Sequence, residues 1–166
     1  MAVCDAGYLC HGNCTHHHHP SCRYSAAKRS AAGACLFAAV KLALHVAANL
    51  WEAHIGYGYF RDEFYYILCG RNVAWGYVDH GPGVAVQAKL SLLLFGKSLA
   101  GLRFLSALGG AGRVFLTGML AWSMGGRRPA QALAMIGVLV APQYLGTDSF
   151  LSMNSYESLF WMTCWR

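Results

Sequence analysis

Charge is scarce in this chain. Asp, Glu, Lys and Arg together make up 12% of its 166 residues, about half the share usual in a soluble domain, while hydrophobic residues make up 56%. A water-facing surface cannot be assembled from that mixture, so a soluble globular fold is excluded. The formal net charge of +6 comes from basic residues spread thinly through apolar stretches, with no basic stripe. Nucleic acid is therefore not an expected partner; anionic lipid headgroups or a phosphate-bearing substrate are. A regular cysteine framework is also missing. Of seven cysteines, Cys4, Cys10, Cys14 and Cys22 crowd the N-terminus, whereas Cys35, Cys69 and Cys164 stand apart in apolar surroundings. The first thirty residues contain no uninterrupted apolar core, so the first hydrophobic stretch is expected to be a start-anchor and not a cleaved leader.

What is present divides into a tail and a series of apolar segments. Residues 1–30 are small, polar and rich in His and Cys, and read as a disordered tail. His11, His16–His19 and the four cysteines are suitable zinc or copper ligands, but their spacing matches no known metal motif, and a low-complexity tail is the simpler reading. Residues 31–51 form a first span of the length needed to cross a hydrocarbon core. Lys41 and His45 lie one turn apart within it, on a face that must meet protein or water, although a snorkelling lysine beside a packed histidine fits equally well. Residues 52–99 are rich in Tyr, Trp and Gly and read as a loop at the membrane surface. The loop should contain a short helix from Asp62 to about Val73 and an interfacial or re-entrant helix over 84–95. A second span is expected over 100–124, a marginal third over 130–146 interrupted by Pro142, and the start of a fourth at Leu159.

The fold class is thus an all-α, multi-pass membrane protein. Arg23, Lys28, Arg29, Arg127 and Arg128 place the N-terminus on the cytoplasmic side by the positive-inside rule. Six acids, Glu52, Asp62, Glu63, Asp79, Asp148 and Glu157, are then expected in the regions on the opposite face. Among them the neighbouring pair Asp62 and Glu63, between Arg61 and Arg71, has the chemistry for group transfer from a phosphate. One carboxylate takes the proton of an acceptor hydroxyl, and cations such as Lys89, Lys97 and Arg103 stabilise the departing phosphate. An acid pair of this kind also caps solvated helices.

The string YGYFRDEFYYILCGRNVAWGYVDHGP resembles the first extracytoplasmic loop of glycosyltransferase family 39, which includes protein O-mannosyltransferase-like and aminoarabinose-transferase-like enzymes. The likeness continues through LFGKSLAGLRFLSALGG, GGRRPAQALAMIGVLVAP and SFLSMNSYESLFW, covering about residues 34–165. It implies a GT-C helical bundle truncated after three to four transmembrane helices, the N-terminal portion of a longer enzyme in a bacterial inner membrane. It also implies an inverting transfer of sugar from a polyprenyl-phosphate donor to a hydroxyl on the extracytoplasmic side. In that reading Asp62 matches the general base, Glu63 its partner, and Arg61, Asp79, Arg103, Asn154 and Glu157 lie where substrate contacts are expected. A lipid-linked sugar is the donor substrate, membrane lipids are partners, and a divalent metal is left open. Two positions depart from the family pattern: His80-Gly81-Pro82-Gly83 stands where Gln-Pro-Pro is usual, and Arg113 replaces an apolar residue. In an incomplete bundle, Lys41 and Arg113 are expected to face lipid. The alternative is a small non-catalytic membrane protein or assembly partner.

Overall fold

The computed structural model describes residues 2–3, 9–10 and 20–164. His11, His16–His19, Cys4 and Cys14, the core of the sequence's possible metal ligands, lie outside these residues. A two-residue antiparallel pairing joins β1 (Ala2–Val3) to β2 (Leu9–Cys10), and everything else that is regular is helical. The elements are α1 (Pro20–His54), α2 (Arg61–Arg71), α3 (Pro82–Phe95), α4 (Leu99–Ser123), α5 (Arg128–Val140), α6 (Pro142–Ser149) and α7 (Glu157–Cys164), with a 3-10 turn at Met153–Ser155. The tail is shorter than residues 1–30, because α1 begins at Pro20. Proline suits a first helical position, where an N–H would have no partner.

Among the described residues two helices are long and apolar enough to cross a membrane, Ala27–His54 within α1 and Leu99–Ser123. Their polarity is the reverse of that in a water-soluble bundle. On α1 the buried residues are Ser30, Ala34, Lys41, His45 and Asn49, a largely polar stripe at helical spacing. Leu36, Val40, Leu44, Leu50 and Trp51 point outward. Each such side chain would forfeit roughly 1.5–3 kcal/mol if left in water, so hydrocarbon is the environment this surface fits.

α5 and α6 qualify as one span only together, and they meet at a 56° bend. The cause is Pro142, which removes a backbone donor and drives Ala141 to an extended conformation (φ −60°, ψ 121°). The bend changes the fate of the third span. Met135 packs against Gly118 of α4, but Asp148, at the end of α6, reaches only as far as Gly110 and Arg113. Arg113 lies 14 residues into α4, about 20 Å along its axis from Leu99. Asp148 is therefore buried beside the middle of α4, whereas the sequence reading expected it with the other acids in the regions on the opposite face. From there the chain runs to Leu151, which packs with Leu102, Tyr66, Val84 and Ala88 near the start of α4. It then returns to Ser155, whose carbonyl accepts from Arg113.

The buried charges explain why this broken segment holds. Arg113 donates from Nη1 to both Asp148 oxygens at 3.1 Å, from Nη2 to Ser155 O at 2.7 Å and from Nε to Ser158 Oγ at 2.6 Å. Its guanidinium also lies 4.3 Å from the Tyr144 ring centre. Lys41 Nζ is 3.4 Å from Asp148 Oδ2, and both side chains are fully enclosed. The expectation that Lys41 and Arg113 face lipid is thus overturned: one carboxylate from α6 turns both inward. Gly110 is required here, since any Cβ at that position would collide with the Asp148 carboxyl.

Removing Asp148 leaves two enclosed cations without a counter-charge, which costs about 3–5 kcal/mol. Asp148→Leu should therefore lower the detergent-solubilised unfolding midpoint well below that of the conservative surface variant Gln143→Ala, measured by thermal denaturation.

Candidate functional site

The expected short helix forms as α2. Phe60 is its N-cap, and Glu63 at the third position reaches back to accept the Phe60 N–H at 2.8 Å, a capping interaction that fixes where the helix starts. With that start fixed, the 100° between successive helical residues sends the two neighbouring acids in different directions. Glu63 points into the protein and is fully buried, whereas the Asp62 side chain remains 48% exposed.

Glu63 is saturated. Its Oε1 accepts from Arg103 Nε at 2.8 Å and from Leu151 N at 3.0 Å, and its Oε2 accepts from Arg103 Nη2 at 2.9 Å as well as from Phe60 N. Arg103 is equally committed: Nη1 donates to Glu52 Oε2 at 2.6 Å, and Nη2 also approaches Gly58 O at 3.5 Å. A carboxylate with every lone-pair direction occupied has no room for a substrate proton, and a guanidinium so enclosed has none for a phosphate. Glu63, expected as the catalytic partner of Asp62, and Arg103, expected as a substrate contact, are both committed to this network, and together they fasten α1, the loop after it, α2, α4 and the Leu151 segment at one point.

Asp62 is the acid left free of that lock. Among the described residues its one ion-pair partner is Arg61, 3.4 Å away and almost wholly exposed, so the pair can part at little cost. Tyr66 stands one turn further along α2, and its phenol pKa is raised by burial, then by the negative charges of Asp62 and Asp79 on either side. Asp79 accepts from Tyr65 Oη at 2.8 Å, which raises the Tyr65 phenol in turn. His80 fills the space beneath, its ring within 4.7–5.6 Å of those of Tyr65, Tyr66 and Tyr77, with Nδ1 2.8 Å from Gly81 O and Nε2 3.8 Å from Asp79. The structure thus gathers Asp62, Arg61, Asp79, Tyr65, Tyr66 and His80 along one side of α2.

Asn154 and Glu157 are exposed elsewhere. They line a hollow of about 340 Å³ with Gln143, Tyr144, Thr147, Ser158 and Trp161, to which none of the Asp62 group contributes. The lysines also lie apart from the acid. Phe64, Ile67, Leu68 and Arg71, on the side of α2 opposite Asp62 at 100° per residue, border a groove that Lys97 closes. Three participants escaped the sequence reading: Glu52, Asp148 and His80. Glu52 and Asp148 gave no local signal, being single acids whose partners are 51 and 35 residues away. His80 had one, as the residue that breaks the family-like string.

No protein-family model, curated protein or solved structure matches this chain.

The contrast between the neighbouring acids is measurable. Glu63→Gln breaks a buried ion pair and should cost about 3–5 kcal/mol, seen as a large drop in unfolding midpoint. Asp62→Asn should shift the same midpoint by no more than a surface substitution does, about 0.5 kcal/mol; equal losses for both would refute the assignment of Glu63 as the structural member.

Proposed function

We propose that this chain carries the base-bearing part of an inverting membrane glycosyltransferase that uses a polyprenyl-phosphate sugar, with Asp62 as the general base. The observation that carries this reading is the division of labour between adjacent carboxylates. Glu63 is buried and held on four hydrogen bonds, and it aims Asp62 outward from the first turn of a fixed helix. A base must be rigidly placed yet accessible, and a structural lock on the residue beside it provides both.

In the reaction, Asp62 takes the proton of an acceptor hydroxyl as that oxygen attacks the anomeric carbon. The bond from that carbon to the phosphate oxygen breaks on the opposite face, the electron pair leaves with the lipid phosphate, and the anomeric configuration inverts. Arg61, exposed and loosely paired, is the cation nearest to meet the phosphate charge. Asp79 and Tyr65, joined by a hydrogen bond, supply further polar contacts for a sugar. The resemblance to glycosyltransferase family 39 and the two membrane-crossing helices support the same reading, in which the loop is extracytoplasmic and the N-terminus cytoplasmic.

The competing reading is a non-catalytic membrane protein in which Asp62 only favours the start of α2, and the Arg61–Asp62 pair is its supporting observation. Membranes containing the protein, supplied with radiolabelled polyprenyl-phosphate sugars, distinguish the two. Asp62→Asn should reduce transfer by about 10²-fold or more at unchanged membrane content, the usual effect of losing a general base. Transfer at the unsubstituted rate would remove Asp62 from the chemistry. Labelling of single cysteines in residues 72–78 from the cytoplasmic side, with none from the other, would remove the proposed orientation.

A further inference from the structure

The groove on the far side of α2 is a built amphipathic site with its own ligand chemistry. It encloses about 410 Å³, and its walls are mostly apolar: Tyr59, Phe64, Leu68 and Leu92. Arg71 and Lys97 stand at its rim, both exposed. Lys89, also exposed, is next to this rim, since its backbone nitrogen packs closely on Gly70. Among the described residues none of the three cations forms an ion pair, and no carboxylate lines the groove. The enclosed cations Lys41, Arg103 and Arg113 all meet carboxylates, whereas the exposed cations at this groove stand unpaired beside an apolar trough.

Position adds to composition. Lys97 lies two residues before Leu99, where the second helix long and apolar enough to cross a membrane begins, and a cation at the end of such a helix belongs at headgroup level. α3, which ends at Phe95 just before Lys97, leaves Leu90, Leu93 and Leu94 exposed, an apolar wall suited to acyl chains. Cations at headgroup level above an apolar channel match one class of molecule, a lipid with a negatively charged phosphodiester head.

We infer that this groove binds an anionic glycerophospholipid, with its phosphate between Arg71 and Lys97 and an acyl chain along Phe64, Leu68 and Leu92. The site is separate from the Asp62 surface, because the two occupy opposite sides of α2, and it does not depend on the transferase reading. A lipid here also bridges α2 to the α3–α4 turn, a junction otherwise joined at the groove by the Tyr59 hydroxyl donating to Lys97 O at 2.6 Å.

The test is lipid retention by the purified full chain in detergent, read by native mass spectrometry with equimolar phosphatidylglycerol and phosphatidylcholine. The unsubstituted protein should retain phosphatidylglycerol at least about tenfold over phosphatidylcholine, since two cations at the rim favour the net negative headgroup. Arg71→Gln with Lys97→Gln should bring the preference to within about twofold, while Asp62→Asn leaves it intact. Arg71→Glu with Lys97→Glu, monitored for an unchanged unfolding midpoint without lipid, should do the same and guards against a folding defect. Equal retention of the two lipids by the unsubstituted protein, or an undiminished preference in both double variants, overturns the inference. So does displacement of phosphatidylglycerol by an equal amount of polyprenyl phosphate, which would make the groove a carrier-lipid site.

Discussion

One guanidinium, that of Arg103, sits between two carboxylates from different parts of the chain, and the geometry of the loop region follows from it. Glu52 lies in the last turn of α1, Glu63 in the first turn of α2, and Arg103 in the first turns of α4. Enclosed charge in a region of low dielectric is stable only when its partners are placed well, so the three elements have little freedom to slide. The Leu151 amide joins the same carboxylate and brings the returning segment after α6 into register. Because Glu63 is fixed in this way, Asp62 is fixed too, one residue earlier and on an accessible face.

A second ionic cluster, deeper between the helices, performs a different task. α5 and α6 cannot form one straight span because of Pro142, and the chain after them runs toward the start of α4 at Leu151 before returning to Arg113 at Ser155. Irregular backbone at that depth survives only where protein satisfies it. Arg113 does so by binding Asp148, Ser155 and Ser158, while Lys41 on α1 completes the charge pairing. The arginine that departs from the family-like pattern is therefore the residue around which the broken segment is organised.

The two sides of α2 divide two kinds of chemistry. Toward Asp62 lie carboxylates, phenols and an enclosed histidine, an environment for hydroxyl groups and proton transfer. Toward Arg71 and Lys97 lie cations over an apolar trough, an environment for a phosphate on a lipid. A short helix is well suited to this, since its faces turn through 100° per residue and neighbours such as Asp62 and Glu63 are forced apart.

Much of the helical plan was legible in the residues alone. Long apolar runs bounded by Gly, Pro and basic turns identified 31–51 and 100–124, and both are crossed by α1 and α4. The acids at 62 and 63 marked the start of α2, because carboxylates favour the positive end of a helix. Sequence also identified Lys41 and His45 as an inward-facing pair from their one-turn spacing, and a short helix near 84–95. Tertiary structure alone decided which carboxylate meets which cation. That outcome depends on three-dimensional register across 35 to 51 residues of chain, as in Arg113 with Asp148 and Arg103 with Glu52, and local periodicity holds no record of it. The same physical reason separates Glu63 from Asp62: side by side in the sequence they are chemically equivalent, and only the packed bundle buries one and leaves the other free.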